Sequence, residues 1–224
     1  QTHPQGLPAI IGQQQFAHLA PILEKQANFP PALAMRLKPW AAAVLLQYPK
    51  DVADGVIFDR RLQLHAMDAG VDLFGLESME GQFELFNRLP APSQFKLLAD
   101  TLDEIDTIAD ANNALLEAYL EKRLDKVYSL GNETIQALDD PHLREFMQEE
   151  VLLNRNREMV RNLESPLTQK SAFVAVGAMH LPGPDGLLEL LEKQGYFIHV
   201  EDSSHVQSIS ADAPAASMPV SGAP

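Results

Sequence analysis

His180 stands three positions after Gly177, in the run Val174-Ala-Val-Gly-Ala-Met-His-Leu-Pro-Gly-Pro-Asp-Gly-Leu-Leu188. An imidazole placed just past a short apolar segment can bind a metal ion through a bare ring nitrogen, or move a proton near neutral pH. A glycine at 177 lets the chain turn without a Cβ clash, and Pro182, Gly183 and Pro184 stiffen the loop beyond the histidine. The same residues also suit a histidine packed under a turn and hydrogen-bonded to backbone, and on the residues alone both readings stay open. Glu77 occupies a comparable place, directly after the apolar run Val71 to Leu76. His142 and Glu145 share a helix face at i, i+3, a spacing used in di-metal bundles, but no second Glu-x-x-His accompanies them. The chain contains no His-Glu-x-x-His, Gly-x-Ser-x-Gly or phosphate-binding glycine loop.

These residues need elements to carry them. Ser171 to Val176 reads as a buried strand, Gly186 to Gln194 as a helix capped by Asp185 and ended by Gly195, and Tyr196 to Val200 as a second strand. Such a βαβ unit has parallel strands and a right-handed crossover, which puts Gly177 to Gly183 at the carboxyl end of a strand, where α/β sheets bind ligands. Val71 to Leu76 reads as another buried strand, with Ser78 capping the helix after it. Upstream, Gln13 to Ala27 forms an amphipathic helix, Pro39 opens an Ala- and Leu-rich buried helix anchored by Trp40, and Phe58, Leu62, His65, Ala66 and Ala69 mark the inner face of a helix ended by Gly70. Phe95, Leu98, Leu102, Ile105, Ala109, Asn112, Leu116 and Tyr119 give one seam of a long helix, in a stretch closed at Gly131. Asp140-Pro141 starts a second long helix, to about Asn162, that pairs with the first as an antiparallel hairpin. The fold class expected is therefore α/β and helix-rich: a small, mostly parallel sheet in a domain over residues 1–200, a helical-hairpin insertion over 90–163, and a disordered Ser-, Ala- and Pro-rich tail over 201–224.

Composition narrows the partners. With 31 acidic against 17 basic residues the formal charge of the 224-residue chain is -14, which repels nucleic acid and anionic membrane surfaces alike. No apolar run approaches the roughly 20 residues of a membrane-spanning helix. The absence of cysteine excludes disulfides, thiolate metal sites and a cysteine nucleophile. The sequence starts at Gln1 with no basic-then-apolar leader, as expected of a processed end or a cut within a longer protein.

The segment from Val176 to Tyr196 resembles the closing signature of the TraB/PrgY/GumN family, the group related to Tiki-type metalloproteases. Further segments agree in order: Leu37-Lys38-Pro39-Trp40-Ala41-Ala42 resembles its Lys-Pro-Trp helix start, the stretch around Asp59 its Gly-x-Asp-x-x-Leu segment, Gly75-Leu76-Glu77-Ser78 its Gly-Leu-Glu-Thr strand end, and Arg155-Asn156 its late Arg-Asn segment. The resemblance implies a Tiki-like site in which His180 is a ligand to a divalent ion such as Mn²⁺ or Co²⁺. Glu77 would be a second ligand or the base that activates water, Arg155 the group that stabilises an oxyanion, and Asp59, Asn154 and Asn156 substrate-binding residues on a site completed by the loop from Gly177 to Gly183. It implies a metal-dependent hydrolase acting on a peptide or other small substrate, in a periplasmic, secreted or cell-surface location. The alternative within the same family is a non-catalytic peptide- or glycan-binding protein. The family carries two Gly-x-x-His motifs and only Gly177 here has a histidine three positions on, so an incomplete, N-terminally truncated fold, inactive by itself, is expected.

Overall fold

In the computed structural model, residues 6–47 and 57–201 are described, and the elements along them are helices. In chain order these are α1 (Leu7–Ile11), α2 (Gln13–Ala27), α3 (Pro31–Ala34), α4 (Pro39–Leu46), α5 (Phe58–Asp68), α6 (Met79–Asn87), α7 (Ala91–Asp103), α8 (Ile108–Leu120), α9 (Leu124–Gln136), α10 (Pro141–Glu145), α11 (Asn154–Gln169) and α12 (Leu187–Lys193). A π-helical stretch, Phe146–Leu153, joins α10 to α11, and a 3₁₀ turn, Ala178–His180, precedes α12. Of the tail expected to be disordered, residues 202–224 lie outside the described residues.

The larger core is built mostly from the first half of the chain, with Leu143 of α10 joining it. Pro39 sits in the first turn of α4, and the Ala- and Leu-rich sequence behind it is apolar on every side, so the helix is buried almost throughout. α4 packs on α2 and α7, and Leu19, Leu23, Trp40, Leu46, Leu98 and Leu143 close the interior. Trp40 is the anchor expected: its ring stacks on Phe86 at 5.1 Å, and its Nε1–H donates to Asn87 Oδ1 at 3.2 Å. Lys38 Nζ donates to the same oxygen at 2.6 Å, so the Lys-Pro-Trp segment fastens the carboxyl end of α6.

The smaller core lies under the candidate site, where Met159, Val160 and Leu163 of α11 meet Leu187 of α12. Here the structure corrects the α/β expectation. The three segments read as strands, 71–76, 171–176 and 196–200, run without a ladder, and no sheet exists among the described residues. The burial expected of these segments also fails for the most part: Leu76, Val174 and Val176 pack on the smaller core, but Val71, Phe74, Phe173 and Phe197 are exposed. A short apolar run between glycines is consistent with a strand but does not specify a paired backbone. In this chain α11 and α12 supply what burial there is, and neither a parallel pair nor a crossover forms among the described residues.

Other boundaries shift for local reasons. The long seam breaks over residues 104–107, where Thr107 Oγ1 bonds the Glu104 carbonyl, giving α7 and α8 in place of one helix. Leu98 is buried, yet Leu116 and Tyr119 are more than half exposed. The close hairpin is formed by α8 with α9, and Gly131 lies inside α9 instead of ending a helix. Asp140 caps α10 as expected, accepting from the His142 and Leu143 amides. α5 ends at Asp68 with Ala69 as its C-cap, and Gly70 just beyond has the left-handed φ expected, 67°, but the helix buries none of its residues and His65 is exposed.

Candidate functional site

α11 organises the site through two adjacent stripes of its surface. Arg155 and Asn162, seven residues apart and so nearly in line along the helix, reach the segment that leads into α6. Arg155 forms a two-pronged ion pair with Glu77, Nε to Oε1 at 2.7 Å and Nη2 to Oε2 at 2.8 Å, while Asn162 Nδ2 donates to the Leu76 carbonyl at 2.8 Å. Gln82 Nε2 adds a longer bond to Glu77 Oε2 at 3.3 Å. Ser78 caps α6 by accepting from the Gly81 amide, as its sequence position predicts, so Glu77 is fixed immediately before a helix N-terminus.

On the neighbouring stripe, Asn156 is 1 % exposed and faces the glycine-rich loop. Its Nδ2 donates to the Asp185 carbonyl at 2.8 Å, which leaves Oδ1 as the acceptor facing His180 Nδ1 at 2.6 Å. The ring nitrogen at that contact must therefore carry the proton, and neutral His180 keeps the Nε2 lone pair free. The histidine is buried under a turn, as one of the two readings had it, but its ring is bonded to the Asn156 side chain and not to backbone. Gly177 has an ordinary φ of -58°, so the turn does not require glycine there; at Gly183, φ of 95° does. Asp185 does not cap α12; its carbonyl holds Asn156 and its carboxylate pairs with Arg157 at 3.4 Å.

The electrostatics reflect this packing. Burial lowers the His180 pKa to about 4, with the Arg155 charge acting in the same direction and Glu77 opposing, so the imidazole is neutral at pH 7. Burial works to raise the Glu77 carboxyl, but hydrogen bonds and charge from Arg155, helped by Gln82 and His180, outweigh it and hold Glu77 ionised below the usual carboxylate range. A carboxylate and a guanidinium are thereby paired directly, and a neutral imidazole, held by the next residue of α11, lies within electrostatic reach of both.

A cleft of about 120 Å³ opens beside the ion pair, lined in part by Glu77, Gln82, Arg88, Asn154, Arg155 and Glu158. Asn154 is exposed on its wall, bonded to Glu150 and Arg157. Asp59 lies exposed in the first turn of α5, with no hydrogen bond or ion pair to the cluster among the described residues. The donor set does not by itself make a metal centre. His180 Nε2 and Glu77 are two donors, both Glu77 oxygens are engaged by Arg155, and no group of three or more His, Asp or Glu side chains converges among the described residues, whereas a divalent ion takes about four ligands or more. Asn162, Gln82 and Asn87 are positioning residues that sequence reasoning missed; polar helix residues carry no spacing signal until their partners are known.

The sequence model of the TraB/PrgY/gumN family matches residues 1–199. A curated relative, a metalloprotease TIKI homolog of Amphimedon queenslandica, is 24% identical over 163 residues, covering 64% of this chain and 32% of that protein. The chain thus spans about a third of that relative's length. No solved structure matches it. No helix among the described residues is long and apolar enough to cross a membrane.

Proposed function

Because the chain belongs to the TraB/PrgY/gumN family, we propose that the Glu77–Arg155–His180 cluster is part of the site of a hydrolase acting on peptide bonds. The observation that carries the reading is that two consecutive residues of α11 hold both chemically competent groups, Arg155 the carboxylate and Asn156 the imidazole. The relative's name, a metalloprotease, supports the reaction class. In this reading a substrate carbonyl enters the cleft and draws Arg155 away from Glu77. The released carboxylate takes a proton from water as the water oxygen bonds to the carbonyl carbon, and Arg155 pairs with the oxyanion that forms. Breaking the C–N bond then returns that proton to the leaving amine. His180 Nε2, the unprotonated ring nitrogen, accepts a hydrogen bond from the attacking water.

The ion pair also favours a second reading, as a peptide-binding site without turnover. A carboxylate with both oxygens bonded is a weak base at rest, and Arg155 could exchange it for a ligand carboxylate. The two readings separate when the 224-residue chain is incubated with a mixed peptide library, with a chelator or with added Mn²⁺ or Co²⁺, and products are read by mass spectrometry. Hydrolysis predicts cleavage that falls at least about 100-fold in Glu77→Gln and in His180→Ala. Cleavage unchanged in Glu77→Gln sinks the hydrolase reading, while peptide retention without products supports binding.

A further inference from the structure

α9 carries none of the chemically competent residues, yet it contains a glycine that its own geometry does not need. Gly131 lies in the helix interior, where glycine costs about 1 kcal/mol relative to alanine. Its reason is a neighbour: a Cβ at position 131 would overlap Met179 Sδ and Cε and stand 3.3 Å from Met179 Cγ. Met179 is the residue before His180, in the 3₁₀ turn that packs against α9. Three residues earlier, on the same face of α9, the fit is reversed. Tyr128 presses its ring on Gly183, where a Cβ would come within 2.8 Å of Cε2 and 3.0 Å of Cζ. A notch in the helix takes a side chain of the loop, and a notch in the loop takes a side chain of the helix.

We propose that Gly131 is a positioning residue for His180, and that α9 sets the place of the imidazole through the paired contacts Gly131–Met179 and Gly183–Tyr128. Asn156 fixes the orientation of the ring by a hydrogen bond, while the backbone bonds of the turn, His180 N to the Gly177 carbonyl and Leu181 N to the Ala178 carbonyl, are local and do not tie it to α9. The Met179 side chain, seated in the notch that Gly131 leaves in α9, supplies that tie. A methyl group at position 131 would make the end of the Met179 side chain swing out of the notch, and the turn that carries His180 loses its hold on the helix. The α8–α9 hairpin is then part of the site although it contributes no reacting atom. This inference takes from the proposed function only the choice of His180 as the group to be placed, and it stands whether or not the chain cleaves peptides.

The experiment reads the ring directly. In a long-range ¹H–¹⁵N spectrum of the full chain at pH 7, with the His180 signals identified by their loss in His180→Gln, the native ring shows the Nδ1–H tautomer. Gly131→Ala is expected to move both His180 nitrogens toward the tautomer-averaged position, and Gly131→Ala combined with Met179→Ala to recover at least about half of that displacement. Met179→Ala alone, which adds no bulk, keeps the fold and loosens the ring in the same direction by a smaller amount. Circular dichroism reports that each variant is folded. A Gly131→Ala spectrum that superimposes on the native one, a double variant as displaced as the single, or a native ring signature in Met179→Ala overturns the proposal. Cleavage is not read, so an inactive chain answers the question equally well.

Discussion

Replacing Asn156 by leucine, which keeps the four side-chain heavy atoms in a bulkier, apolar form, removes polarity from the centre of the site without opening a cavity. The wild-type amide is 1 % exposed and makes two bonds, to the Asp185 carbonyl at 2.8 Å and to His180 Nδ1 at 2.6 Å. In Asn156→Leu the carbonyl and the ring N–H both lose their partner in a place that water reaches poorly. Each group so stranded costs about 1–3 kcal/mol. The carbonyl is able to relax toward solvent at the loop surface more readily than the ring, so a total of about 2–4 kcal/mol is expected. For a chain of this size that lowers Tm by about 4–16 °C. Urea unfolding at pH 7, followed by circular dichroism and fitted at constant m, measures it. Asn162→Leu, which loses a bond at an exposed position, serves as the control and should cost about 1 kcal/mol or less. Equal losses in the two variants, or a loss under about 1 kcal/mol in Asn156→Leu, would refute the reasoning that the buried amide bridges loop and histidine.

Two further expectations rest on the charges. His180 titrates at about 4 in the folded chain against an ordinary value of 6.5, so its stabilising effect is complete above pH 6.5 and is lost as the pH falls toward 4, where the unfolded chain alone takes up the proton. After allowance for solvent at the loop, wild type should lose about 1–2 kcal/mol more than His180→Gln between pH 7 and pH 5, and parallel urea midpoints for the two at both pH values would contradict this. Arg88 pairs with Glu150 at 3.4 Å on the cleft wall with both side chains well exposed, so Arg88→Ala should change stability by no more than about 0.5 kcal/mol, and a loss above about 1 kcal/mol in the same assay would show that the pair is structural.

Much of the helical frame was legible because helices announce themselves locally. The Phe16, Leu19 and Leu23 spacing, Pro39 ahead of an Ala-rich run, Ser78 before α6 and Asp140-Pro141 before α10 each encode an element within a few residues. The sheet was misread for the opposite reason. Whether Val174 and Val176 belong to a strand depends on a partner elsewhere, and a short apolar run does not announce one. Gly131 misled in the same manner, since a glycine that admits Met179 reads, in sequence, like one that ends a helix. Of the candidates, Glu77 and Arg155 form an ion pair and His180 is bonded to Asn156, the residue after Arg155, whereas Asp59 stays apart on α5. What the sequence withheld was the connection, namely that Asn156 would be bonded to His180 and not left open to a ligand.

The fastening of α6 at Asn87 has a consequence for where sensitive positions lie. Nine residues of helix span about 13 Å, and the far end of that span abuts Glu77. α6 therefore links the contacts of Lys38, Trp40 and Asn87 to the carboxylate, so a substitution that shifts the helix at its anchored end is expected to disturb the pairing of Glu77 with Arg155. Random mutagenesis scored for loss of function should accordingly recover substitutions at the anchored end, in the large core, as well as at the carboxylate.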